Sequence, residues 1–306
     1  MKSNFGNQFK YYLKLSKLKI MIPVSLTGFT GYFIFSPHIS VKMILVTSGI
    51  LLHAISASVL NQIQEVDLDS KMNRTHGRPL PAQKIKLKHA ALFFIFSFLA
   101  GTVIIYSAGN ITAVLIGFLT IIWYNGIYTY AKRITAFAVV PGAVTGALPP
   151  LIGWVAAGGG VWDKPIIFLE FLFFTGQIPH FWLLLLKYGE EYGKAGIPSL
   201  TNTMSRFQIN RLTFTWVVTS VIAALFLCYF EIIQTALVSG CLLIASGILI
   251  WQFSELIKFS EETNNYRKYS FLLDIYFLLM LILLISDRII TYFAANQISH
   301  FSPSIS

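Results

Sequence analysis

Long apolar runs broken by short polar segments dominate this chain. Runs of membrane-crossing length fall at about 19–36, 43–62, 89–107, 111–130, 137–157, 166–186, 211–230, 232–254 and 271–293. Each approaches or reaches the ~20 residues that a bilayer-spanning helix needs. The pattern predicts an all-α, polytopic membrane protein of about nine transmembrane helices. No linker is long enough to divide it, so residues 1–306 are expected to form a single transmembrane domain. Residues 1–18 would be a cytoplasmic N-terminal segment and 294–306 a short tail. Spans 2 and 6 stand four apart, which suggests two related four-helix halves with a ninth helix appended.

Composition sharpens this picture. Hydrophobic residues make up 55% of the chain and charged residues only 12%, about half the share usual in soluble domains. The basic, polar start has no short apolar core followed by a small-residue cleavage site, so no removable signal peptide is expected. With the N-terminus placed inside, 20 of the 23 Lys and Arg side chains fall on the cytoplasmic side, and only Lys42, Lys164 and Arg288 lie outside. The positive-inside rule therefore predicts an N-in, C-out chain. The same placement attributes the net charge of +10 to topology and lipid headgroups, not to nucleic acid. Cys228 and Cys241 both lie in apolar runs and are expected to pack, not to pair.

The polar stretch NQIQEVDLDSKMNRTHGRPLPA, residues 61–82, follows directly on an apolar run. Asn61, Glu65 and Asp69 are spaced i, i+4, i+8, which puts them on one face of a helix, with Asp67 nearly opposite. An amide oxygen and carboxylates are the hard ligands that Mg²⁺ takes alongside substrate phosphates. Arg74 and Arg78 follow, suited to bidentate phosphate contacts. An ordinary charged loop would have the same composition.

A second candidate site is QIPHFWLLLLKYGEEYGKAGIPSL, residues 177–200. Pro179 is expected to kink its helix. His180, Lys187 and Glu191 share one helical stripe, with Glu190 beside Glu191. The stripe thus carries an imidazole at membrane depth and charged groups at the cytoplasmic end. In YNGIYTYAKRIT, residues 124–135, Lys132 and Arg133 are either topology charges or additions to an anion site, with Tyr128 one turn inside. Gly142 and Gly146 form a small-xxx-small pattern suited to close helix packing, and Pro149 and Pro150 are expected to break their span. His53 is off the Asn61 face and is assigned a structural role.

These stretches, together with PGAVTGALPPLIGWVAAGG, resemble the UbiA superfamily of intramembrane prenyltransferases from about residue 20 to 290. Asn-x-x-x-Glu-x-x-x-Asp, then Met-x-Arg-Thr-x-x-Arg-Pro-Leu and Pro-His-Phe, are most similar to the branch that farnesylates heme. The second acidic element departs from that pattern, with Glu191 where aspartate is usual. The resemblance implies a helix bundle around a central cavity open to the cytoplasmic side. It implies Mg²⁺ held by Asn61, Glu65, Asp69, Glu190 and Glu191, with Asn61, Glu65, Asp69 and Glu191 catalytic. Farnesyl diphosphate and heme B would be the substrates, bound by Arg74, Arg78, Lys132, Arg133, Tyr128, His180 and Lys187. It also implies the bacterial inner membrane, and as partners heme A synthase or assembly factors of a terminal oxidase. The competing readings are a prenyltransferase for an aromatic quinone precursor or lipid alcohol, a polytopic transporter, and a heme-binding scaffold without catalysis.

Overall fold

A computed structural model describes residues 5–258 and 265–301. It contains nine helices long and apolar enough to cross a membrane among the described residues. In chain order the helices are α1 (Phe5–Ser16), α2 (Leu18–Phe35), α3 (Val41–Gln64), α4 (Val66–Ser70), α5 (Leu87–Ala108) and α6 (Ile111–Ile121). A π-helical turn, Ile122–Tyr128, joins α6 to α7 (Thr129–Ile134). Then follow α8 (Val139–Ala156), α9 (Lys164–Lys194), α10 (Arg206–Tyr229), α11 (Ala236–Ser254) and α12 (Tyr266–Phe301).

Polar side chains mark where several of these helices begin. Ser40 accepts from Met43 N (3.2 Å) to start α3, and Asn110 accepts from Ala113 N (2.9 Å) to start α6. Ser205 and Gln208 form a reciprocal capping box on α10. Buried Asp287 of α12 accepts from the backbone N–H groups of Gln234 and Thr235 and from the Thr235 hydroxyl. That ties α12 to the connection between α10 and α11, and it explains why α11 begins at Ala236, four residues later than expected from the sequence.

In the interior, α2, α8, α9 and α12 touch in turn, and α12 returns to α2. Helix α3 packs against α2 and α5, and α10 and α11 flank α9 and α12. The main buried cluster includes Met43, Ile50, Leu169, Ile178, Leu183, Val217, Phe253 and Leu273. Phe96, Val103, Leu115, Ile244 and Phe271 point outward and exposed. Such an apolar outer surface needs lipid to cover it.

Two sequence-based expectations need correction. Pro149 and Pro150 do not break their span: α8 runs through both. Leaving the helix there would strand several backbone groups in apolar surroundings, which costs more than the one bond each proline forfeits. Helix α2 also packs its glycine face directly on this turn. A methyl group on Gly31 would overlap the Pro150 carbonyl, and one on Gly153 would overlap the carbonyl oxygen of Gly28. Helix α9 contains Pro179 and stays helical through it, so the imidazole next to it and the charged groups at its end belong to one helix. Finally, 294–301 is not a tail but the last turns of α12; residues 302–306 lie outside the described residues.

Gly142 and Gly146 make room for side chains instead of a helix backbone. A Cβ on Gly142 would lie 2.7 Å from the Tyr128 ring, and one on Gly146 would lie 2.7 Å from Gln177 Cγ. His53 is buried against Phe98 and Phe118 with Nε2 3.0 Å from the Thr102 hydroxyl, a structural position as expected. Cys228 and Cys241 are both free.

The backbone contact between α2 and α8 predicts that Gly31→Val costs about 1–3 kcal/mol through overpacking. Thermal unfolding in detergent should show a clear fall in midpoint, whereas Gly240→Val, at an open position, should leave it near the parent value.

Candidate active site

Helix α3 stops at Gln64 and α4 starts at Val66, with Glu65 at the break (φ −117°, ψ 15°). The three expected residues therefore do not ride one regular helix. They stay together because Asp69 N donates to Glu65 O (2.8 Å) across the break. Asn61, Glu65 and Asp69 are all buried, while Asp67 is exposed, as the spacing predicts.

Every buried carboxylate here has a cation. Lys132 is in ion-pair contact with Glu65 Oε1. Arg78 Nη1 donates to both Asp69 oxygens, at 2.7 and 2.6 Å. Unpaired, these charges would be too costly to bury, whereas removing one member of such a pair is strongly destabilising. The loop that carries Arg78 is fixed by the Thr75 hydroxyl, which donates to Asp69 O (2.8 Å).

The π-helical turn positions Lys132. It brings Asn125 and Thr129 against α3, where Asn61 Nδ2 donates to Thr129 Oγ1 (3.1 Å) and Asn125 Nδ2 donates to Ala57 O (3.0 Å). Gln64 and Asn125 exchange two further bonds at 3.1 Å. Arg133 is used differently: it donates to Gln64 O (2.7 Å), at the C-terminal end of α3, and lies over Tyr130. A cation at that helix end complements the dipole. Lys132 also lies 5.5 Å from the Tyr128 ring centroid, which in turn is 6.0 Å from Phe181 of α9.

The loop after α4 and the C-terminal end of α9 meet at Arg74. Its backbone N–H donates to Glu191 Oε2 (3.1 Å), and its guanidinium reaches Tyr192 OH (3.3 Å) and covers the Tyr188 ring. Lys187 lies against the same ring. Glu191 is thus brought to the loop of Arg74, but it does not join Glu65 and Asp69 in one acidic cluster: no three His, Cys, Asp or Glu side chains converge among the described residues. The Glu190 side chain lies outside the described residues.

Sequence reasoning missed Lys17. It sits between α1 and α2 in the left-handed region (φ 46°, ψ 43°), costly for a residue with a Cβ. That turn aims it into a basin of about 440 Å³ lined also by Lys14, Gln62, Asn73, Arg74, His76 and Arg78. Loss of hydration, followed by repulsion from Arg78, pushes its amine down to about 7. Its placement by a backbone turn leaves no periodic signal in the sequence. Thr129, Asn125 and Tyr188 were missed for the related reason that their partners are distant in the chain.

The donor set suits Mg²⁺. That ion needs only one or two carboxylates when substrate phosphates complete its shell. Glu65 and Asp69 are the two carboxylates, each held in place by a cation, and Asn61 stands one turn from Glu65. Lys17, Arg74, Arg78 and Lys132 surround these acids with the charge needed for a diphosphate.

The match to the UbiA prenyltransferase family covers residues 24–293. Relatives that bear the name protoheme IX farnesyltransferase include these three. The one from Oleidesulfovibrio alaskensis is 31% identical over 284 residues, covering 90% of this chain and 96% of the relative. That from Cytophaga hutchinsonii is 32% identical, covering 80% and 86%. That from Geobacter sulfurreducens is 40% identical over a shorter stretch, 50% and 57%. A solved structure of digeranylgeranylglyceryl phosphate synthase superposes with a TM-score of 0.74 at 24% identity, covering 92% of this chain and 99% of that one. A UbiA homolog from Archaeoglobus fulgidus bound to GPP and Mg²⁺ superposes with a TM-score of 0.68 at 14% identity, covering 90% and 99%.

A diphosphate raises the Lys17 pKa from about 7 back toward the ordinary lysine value. Binding then takes up a proton above pH 7 and weakens as pH rises through that point. Lys17→Arg keeps its charge, so its pyrophosphate affinity relative to the parent should grow about tenfold or more between roughly pH 6 and 9. Parallel calorimetric titrations check this, and a constant ratio would remove Lys17 from the anion site.

Proposed function

Since this chain belongs to the UbiA prenyltransferase family, we propose that it works as a protoheme IX farnesyltransferase. It transfers the farnesyl group of farnesyl diphosphate to a vinyl group of heme B, giving heme O and diphosphate. The observation that carries this reading is the buried pair of carboxylates at the end of α3, each held by a cation, beside a basic basin. The name and near-complete coverage of the Oleidesulfovibrio relative support the choice of substrates.

Asn61, Glu65 and Asp69 would hold Mg²⁺, with Glu191 of α9 approaching from beside the Arg74 loop, and the ion would supply charge neutralisation for the diphosphate. Arg74, Arg78, Lys132 and Lys17 contact the phosphate oxygens and stabilise the charge that develops as the allylic C–O bond breaks. The farnesyl carbon forms its new bond to the terminal vinyl carbon, and water adds to the neighbouring carbon with loss of a proton. The aromatic wall of Tyr128 and Phe181 borders this reaction and limits premature water attack. His180 contacts the heme, Lys187 stands at the mouth, and Arg133 supports the site from the end of α3.

The protein acts as one transmembrane unit in the bacterial cytoplasmic membrane, with its N-terminus and diphosphate mouth on the cytoplasmic side. Heme O then passes to heme A synthase or to terminal-oxidase assembly factors. The split of 20 basic residues against 3 across the spans supports this orientation. Cysteine labels placed in 63–88 and in 158–165 should be reached from opposite sides; labelling of both from outside would overturn it.

Purified protein given heme B, farnesyl diphosphate and Mg²⁺ should yield heme O by mass spectrometry. Loss of both substrates' turnover in the parent would reject the reading. Glu65→Gln and Asp69→Asn should each lower kcat/KM by at least about 100-fold with helix content retained. Near-parent rates in both would remove the acidic pair from catalysis.

A further inference from the structure

Within the spans, His180 of α9 and Asp274 of α12 face each other, with Nδ1 3.3 Å from Oδ1. Neither is packed away: the side chains are 34% and 61% exposed. A carboxylate at this depth is costly unless it has a partner or a cavity, and here the imidazole is that partner. The other ring nitrogen, Nε2, makes no hydrogen bond among the described residues.

The surroundings of His180 show where that nitrogen leads. On α9, Trp182, Leu183 and Leu186 are buried, while Gln177, His180, Phe181, Leu184 and Tyr188 remain half-buried. This open stripe ends at Tyr188, which carries Arg74 and Lys187 on its ring. Phe181 beside His180 touches Tyr128, whose ring lies near Lys132. One continuous face therefore joins the imidazole to the cations of the diphosphate site. His180 is eight residues, about 12 Å, from Tyr188 along the helix.

An imidazole with one nitrogen on a carboxylate and the other free is how proteins hold a metal-ligating histidine. The carboxylate fixes the tautomer that leaves the lone pair outward and makes the ring a stronger donor. Heme brings an iron whose axial positions take histidine. We propose that His180 Nε2 is an axial ligand to the iron of the heme substrate, and that Asp274 is a positioning residue acting through Nδ1. This rests on the heme reading above. The bond is dative: the ring gives a lone pair, and no electron or proton is transferred. Gripping the macrocycle at its centre, below the mouth, leaves its rim, where the vinyl groups are, free to meet the farnesyl carbon.

The test uses the full-length protein in detergent with ferric heme B and, separately, metal-free protoporphyrin IX. The parent with heme should give the absorption and EPR spectra of a histidine-ligated iron. His180→Ala should lose them, and added imidazole should restore them. Asp274→Asn should weaken heme binding about 10- to 100-fold and raise the iron reduction potential, with Asp274→Glu returning both toward the parent. Protoporphyrin IX, having no iron, should bind parent and His180→Ala equally. Unchanged spectra in His180→Ala, or an equal loss of affinity for the iron-free ring, would overturn the ligand assignment. If the parent still makes heme O in that case, the assignment alone fails. A parent that binds no heme overturns both.

Discussion

The cost of burying charge organises this molecule. Two carboxylates sit at the end of a membrane helix, out of reach of bulk water, and they are tolerable only because Lys132 and Arg78 meet them. Each cation comes from a different connection: one follows a π-helical turn, and the other lies on the loop after α4. The pairing thus draws three separated stretches into one place. The same stretches hold the groups that a diphosphate needs, so the force that assembles the mouth also charges it.

Away from the mouth, apolar packing does the work and polar groups act as fasteners. Asp287 closes the α10–α11 connection, Gln62 donates to Leu15 O (2.7 Å) to hold α1 against α3, and the glycine face of α2 lets its backbone meet α8. These contacts leave α9 and α12 as the pair that exposes ionisable groups toward each other at depth. In a chain with so few charges, an unburied aspartate inside a span is a departure from the economy seen everywhere else.

Much of this was legible in the residues themselves. Apolar length marked the nine spans, and four-residue spacing put Asn61, Glu65 and Asp69 on one side and Asp67 on the other. Periodicity failed where geometry is not periodic. The break at Glu65 leaves the face intact but ends the helix. Lys17 depends on a single left-handed residue, which only the folded backbone reveals. The prolines of α8 read as breaks because the chain alone does not show the α2 backbone lying against them. Asp274 carried no periodic signal, because its partner His180 lies on α9, distant in the chain.

The π-helical turn carries a further consequence for how this chain tolerates change in length. Such a turn holds one residue more than the α-helix it interrupts. Because the extra residue is absorbed within one widened turn, the helix beyond it keeps the phase of an uninterrupted α-helix. Removing the surplus residue would close the turn to regular α geometry and leave Thr129 facing Asn61 and Lys132 facing Glu65. A residue added outside the widened turn and taken up as ordinary α-helix would instead rotate everything beyond it by about 100°. Length variation is thus harmless at the wide turn and would dismantle the site one turn away.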